Sequence, residues 1–196
     1  MTVRTLSWPK RTDWHRLTES MPTPLRLCLD LNVWCASFLA DRAGRNNTSA
    51  QRLVSSVRSG LSPLGPVQLV ISWGMLNRLR KVFILDWNID HETTDELIQA
   101  IVGYANLGPG GKGPQLTLGG TGLMPIRDDE DAHVLDTAVA ASTDILVTAN
   151  MTDFLPRHIE IIIPERLARF VHPKKTVFIA HPFVVRDWFD AGKILF

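Results

Sequence analysis

Three polar segments, far apart in the chain, carry side-chain types that can do chemistry together. "LRLCLDLNVW", residues 25–34, brings an apolar run to Asp30, with Asn32 two positions on. "RDDEDAHVLDTAVA", residues 127–140, contains Asp128 and Asp131, and "DILVTANMTDF", residues 144–154, contains Thr148, Asn150 and Asp153. Two carboxylates about 5 Å apart repel by about 3 kcal/mol at an effective dielectric near 20. Three gathered in one place need protons, cations or paired bases to hold them. A hard divalent cation removes the repulsion, because Mg²⁺ takes oxygen ligands, keeps several waters and works with one or two carboxylates plus substrate phosphates. The chemistry open to such a site is attack of water on a phosphodiester.

Each acid also has a plainer explanation. Asp30 suits a helix cap as well as a ligand. Asp128, Asp129, Glu130 and Asp131 can all favour the N-terminus of one helix. Asp153 can form a turn, and Thr148 with Asn150 can cap the turn after their strand. The coincidence of order, residue type and position at strand ends favours a shared site.

The elements that position these residues alternate. "LRLCL" reads as a buried strand and "NVWCASFLA" as a helix. "TSAQRLVSSVRSG" reads as a helix capped by Thr48 or Ser49, with Leu53, Val54 and Val57 on one face and Gly60 at its stop. After the turn "LSPLGP", "VQLVI" is a second strand, and Ser72 caps "WGMLNRLRKVFIL", where Leu76, Leu79, Val82 and Phe83 share helical spacing. "HETTDELIQAIVGYA" and the acidic segment with Val134, Leu135, Ala138 and Val139 add two helices. "DILVT", "IEIII" and "TVFIA" are strands, and "PERLARFV" reads as a short helix opened by Pro164. This alternation predicts an α/β sheet, predominantly parallel, with helices on both faces. Functional residues of such sheets lie beyond the carboxyl ends of the strands. Asp30, Asn150 and Asp153 fall there, and Asp131 opens a helix.

Composition sets limits. With 45% hydrophobic residues in 196, one core and one domain are expected. Lys and Arg total 21 against 20 acids, so no bulk positive field draws a polyanion. Cys28 and Cys35 read as reduced core thiols. The first 24 residues lack a continuous apolar segment, so neither a signal peptide nor a membrane span is expected, and a cytoplasmic location follows.

"LDLNVW", "IRDDEDAHVLDTAVA" and "ILVTANMTDF" resemble the characteristic segments of PIN-domain ribonucleases, especially the PIN-family toxins of bacterial toxin–antitoxin pairs. The similarity runs over residues 25–164, with a strand and helix expected over 165–196 and an arm over 1–24. The resemblance implies a three-layer α/β/α sandwich, a Mg²⁺- or Mn²⁺-dependent endoribonuclease acting on RNA, frequent homodimers and, for toxins, a small antitoxin that blocks the site. By position, Asp30, Asp131 and Asp153 match the metal-binding acids, Asp128 a frequent acidic companion, and Asn32, Thr148 and Asn150 the polar residues that orient ligands. Arg78 departs from the pattern: it stands where the family usually places a glutamate, and neighbouring Asn77 supplies no carboxylate.

Two rivals accompany this reading. One is a degenerate PIN-like module that binds RNA or protein without cleavage, for which Arg78 is the best support. The other is a haloacid-dehalogenase-like phosphatase with Asp30 as nucleophile, against which Asn32 stands in place of the second acid. The Gly-rich stretch 107–122 fails the phosphate-loop spacing and is expected to be a mobile surface loop or hairpin. Trp8, Lys10, Arg11, Trp14 and Arg16 suit a packing arm better than a nucleic-acid contact. Phe183, Val184, Trp188 and Phe189 are expected to pack within the molecule.

Overall fold

The computed structural model describes residues 23–114, 129–154, 159–173 and 175–195. In chain order the elements are β1 (Leu25–Leu29), α1 (Leu31–Arg42), α2 (Ser49–Ser59), β2 (Leu61–Ser62), β3 (Gly65–Val70), α3 (Trp73–Lys81) and α4 (His91–Asn106). They continue with α5 (Asp129–Ala140), β4 (Ile145–Val147), β5 (Ile159–Ile163), β6 (Leu167–His172), β7 (Lys175–Ala180) and α6 (Pro182–Ala191). One seven-stranded sheet runs β2-β3-β1-β4-β7-β6-β5.

Its centre is parallel, β3-β1-β4-β7, and its two margins are antiparallel. Successive strand residues face opposite sides of a sheet. Leu27, Cys28 and Leu29 of β1 and Ile145, Leu146 and Val147 of β4 are all buried, so both faces of the centre are covered. The α/β fold with a parallel core is thus as expected. Helix α2 packs on α1 and α6, α3 packs on α4, and α5 packs on β4 and β7.

Local chemistry sets the helix ends. Thr48 and Gln51 form a reciprocal capping box at the start of α2, and Gly60, at φ +69°, ends it in the left-handed region. Ser72 caps α3 by accepting from Met75 N at 3.2 Å. After Lys81 the helix widens into a π turn, Val82–Asp86, which buries Phe83 against Phe38 edge-on at 5.0 Å.

One expectation needs correction. "PERLARFV" is no helix. Arg166 N donates to Ile163 O at 3.1 Å, Pro164 occupies the second position of that turn, and Glu165 sits at φ +58°. This turn reverses the chain into β6, which pairs antiparallel with both β5 and β7. Pro164 fixes φ for a turn as readily as for a first helical residue, and the apolar residues of "LARFV" are buried by the sheet.

The described part of the Gly-rich stretch, expected to be a mobile surface loop or hairpin, is a largely exposed loop tied to the sheet at Gly110 and Lys112. Gln68 of β3 is only 1% exposed; its Oε1 accepts from Gly110 N at 2.8 Å, and its Nε2 donates to Ala105 O at 2.8 Å and to Lys112 O at 3.3 Å. A Cβ on Gly108 or Gly110 would approach Gln68 Oε1 within 2.6 and 2.9 Å, so glycine permits the close approach. Residues 115–122 and the aromatic-basic arm lie outside the described residues.

Cys28 and Cys35 are free thiols. Burial, with Asp30 adding its charge, raises the Cys28 thiol, and burial with Asp30 and Asp86 pushes Cys35 up to about 11. Val184, Trp188 and Phe189 pack inward, but Phe183 is 44% exposed. No helix among the described residues is long and apolar enough to cross a membrane.

Candidate functional site

The parallel pairing of β1 with β4 sets Leu29 beside Val147, so Asp30 and Thr148 leave the sheet together. Asp30 N donates to Val147 O at 3.0 Å, prolonging the ladder by one bond. The Asp30 carboxylate is 6% exposed and is gripped by three donors. Leu31 N donates to Oδ1 at 2.6 Å, while Asn32 Nδ2 and Thr148 Oγ1 donate to Oδ2 at 2.6 and 2.8 Å. Asp30 is therefore both a helix cap and the centre of a polar cluster.

Asn32 and Thr148 tie that cluster to the next loop. Asn32 Oδ1 accepts from Ala149 N at 3.0 Å, and Thr148 Oγ1 accepts from Asn150 N and Asn32 Nδ2, each at 3.0 Å. Thr148 is fully buried, and its hydroxyl reaches three neighbours at once. Such a network fixes the carboxylate's position through charge-assisted hydrogen bonds.

Opposite stands a wall made by α3 and α5. Ser72, following β3, places Oγ 3.2 Å from His133 Nε2 of α5. Gly74 is the only residue type that fits beneath this histidine, since a Cβ there would run into the ring. Between the walls lies a cleft of about 430 Å³ reached by Asp30, Asn32, Arg78, Lys81, His133 and Asn150.

The expected acids divide by what the structure describes. Asp131 lies in the first turn of α5, two residues before His133. Asp153 lies in the 3₁₀ turn Met151–Phe154, three residues after Asn150. Those two elements pack together. Only the backbone of Asp131 and Asp153 is described, and Asp128 lies outside the described residues. Among the described residues no group of three or more His, Cys, Asp and Glu gathers to hold a metal ion. The donor types at hand, a carboxylate with amide and hydroxyl oxygens, are those of a hard cation, and Asp30 opens on the cleft. Arg78 lines the same cleft as Asp30.

Ser72, His133 and Lys81 were not singled out as site residues from the sequence. Ser72 follows a strand as Asp30 and Thr148 do, and that shared placement was the available signal. His133 lies two residues from Asp131 beside the apolar stripe of its helix, and only the folded contact with Ser72 distinguishes it.

The family model for the PIN domain matches residues 26–152. The chain belongs to the PIN-domain family. The match spans Asp30, Asn32, Arg78, Asp128, Asp131, Thr148 and Asn150, and stops one residue before Asp153. PIN domains have a nuclease-type fold, are generally hydrolases and typically use divalent metals. No match to the chain is found among curated proteins. In this PIN domain β5, β6 and β7 extend the sheet beyond the matched span, and α6 follows them.

Proposed function

We propose that this PIN domain is an endoribonuclease that cleaves RNA with Mg²⁺ or Mn²⁺ held by Asp30, Asp131 and Asp153, with Asp128 as an acidic companion. The observation that carries the reading is the buried Asp30 carboxylate, gripped by Asn32 and Thr148 beside a cleft whose α3 wall presents Arg78 and Lys81. A divalent cation at these acids supplies the charge that polarises a phosphodiester and makes water a better nucleophile. Asn32 and Thr148 hold Asp30 in place, Asn150 orients substrate at the strand end, and Arg78 with Lys81 draws the phosphate backbone into the cleft.

The test is cleavage of a single-stranded RNA pool with Mg²⁺ or Mn²⁺ and with EDTA. Asp131→Asn and Asp153→Asn are expected to reduce metal-dependent cleavage to background while leaving the fold intact. Wild-type rates in either folded variant remove the assignment.

A second reading is favoured by Arg78, which lines the cleft and stands in the sequence where the family pattern expects a glutamate. A binding module of that kind retains RNA affinity and cleaves nothing under any metal. Within the nuclease reading we further propose a cytoplasmic toxin, active as a homodimer and held by a small antitoxin over the cleft. Support comes from the "ILVTANMTDF" segment, which follows the toxin pattern through Asp153. Induced expression is expected to arrest growth, and a small reading frame, where one lies immediately upstream, to relieve it on co-expression; growth unaffected by the active protein refutes the toxin role.

A further inference from the structure

A second hollow, of about 310 Å³, adjoins the cleft, and Asn150 lines both. Its floor is the 3₁₀ turn, and its far side is built from the β5–β6 turn and the start of α6. His181 N donates to Arg166 O at 2.8 Å, holding the end of β7 beside the start of β6. Phe183, the second residue of α6, stands over this junction. Isolated exposed apolar residues are ordinary on protein surfaces. Phe183 differs in its company: the Arg186 and Arg166 guanidiniums lie 5.2 and 6.0 Å from its ring centre, and the His181 ring lies 4.7 Å away.

Arg186 is paired with Asp187, but Arg166 has no carboxylate partner among the described residues. His181 accepts from Phe183 N through Nδ1 at 3.3 Å, so the ring presents its Nε2 hydrogen outward from the cap. Burial, and then the Arg166 charge, lower its pKa, so the ring is neutral at pH 7. A half-exposed phenyl ring, two guanidiniums over it and a neutral imidazole close by are the components that single-stranded nucleic acids use: stacking for the base and cationic donors for the phosphate.

We propose that Phe183, with Arg166 and Arg186, forms a base-stacking subsite for the RNA strand as it leaves the Asp30 cleft across Asn150. The inference rests on the nuclease reading above and adds where the flanking nucleotide is held. A base on Phe183 places its phosphate within reach of Arg166, so strands long enough to span both hollows bind more tightly than dinucleotides.

The test is fluorescence anisotropy of the full-length protein in EDTA with a labelled single-stranded RNA of about 12 nucleotides, within the range of single-strand site sizes. Phe183→Ala is expected to weaken binding about five- to hundredfold, the span of base–aromatic stacking. Phe183→Trp is expected to retain affinity, and Arg166→Ala to weaken it and flatten its salt dependence. Thermal unfolding of each variant checks the fold. Wild-type protein that binds and cleaves RNA while Phe183→Ala binds within twofold overturns the subsite and leaves the nuclease reading standing. Wild-type protein that neither binds nor cleaves overturns both. If Phe183→Ala keeps RNA affinity but loses a copurified protein, the surface is a protein contact and the subsite is refuted.

Discussion

Replacing Thr148 by valine removes the hydroxyl at the centre of the Asp30 network and keeps the side-chain volume. Thr148 is fully buried, and its Oγ1 donates to Asp30 at 2.8 Å while accepting from Asn150 N at 3.0 Å. A hydrogen bond to a charged group contributes about 1.5–3 kcal/mol, and a stranded amide costs about 1 kcal/mol more. The sum is near 3 kcal/mol, which for a domain of this size lowers Tm by about 6–12 °C. Thr148→Ser keeps the hydroxyl and loses one buried methyl, worth about 1 kcal/mol. Serine is thus expected to be the milder change, although valine is the more apolar. Urea unfolding of metal-free protein measures both. Equal stabilities for wild type and Thr148→Val, or a valine variant more stable than the serine variant, refute the view that the hydroxyl network outweighs packing here. The same substitution is expected to lower RNA cleavage, because Asp30 loses one of its three donors.

Arg78→Glu is expected to tighten Mn²⁺ binding by isothermal titration and to raise cleavage, since it removes a cation from the cleft and adds the acid the family pattern expects; unchanged affinity in a folded variant places Arg78 outside the metal's reach. Gly74→Ala drives a methyl into His133 and is expected to cost about 1–3 kcal/mol, read by urea unfolding, with relief when combined with His133→Ala. Asp90 caps α4 by accepting from Thr93 N at 2.8 Å, and that bond lowers its pKa. Its contribution is full above the unfolded value of about 3.9 and is lost as pH falls through the lower folded value. The stability gap between wild type and Asp90→Ala is therefore expected to be constant from pH 7 to about pH 5 and to close below about pH 4; a gap unchanged at low pH refutes the cap's electrostatic origin. Cys35, pushed up to about 11, is expected to react with a disulfide reagent at pH 8 roughly a hundredfold more slowly than free cysteine.

Asp30, Asn32 and Thr148 were legible as neighbours because strand-end positions in a parallel sheet converge whatever the loops between them do. Bonds local in sequence, such as the Thr48 box and the Ser72 cap, were legible for the same reason that they form early: their partners are three residues apart. β6 was not legible, because "LARFV" suits helix and strand alike and only its pairing with β7 decides. The Gln68 latch was hidden too, since it joins β3 to a segment more than 40 residues on and depends on glycines whose purpose shows only when the amide lies against them. His133 and Ser72 meet across 61 residues, and nothing in either local segment announces the other.

The bond from Thr148 to Asp30 closes across 118 residues. Bringing ends that far apart together costs about 4 kcal/mol in loop entropy before any constant, more than the bond itself returns. The polar cluster therefore cannot nucleate anything and assembles only when the apolar faces of β1 and β4 meet. Contacts of such high sequence separation are slow to form. On a growing chain the Asp30 bonds from Leu31 and Asn32 are local, whereas the one from Thr148 waits until β4 has been made.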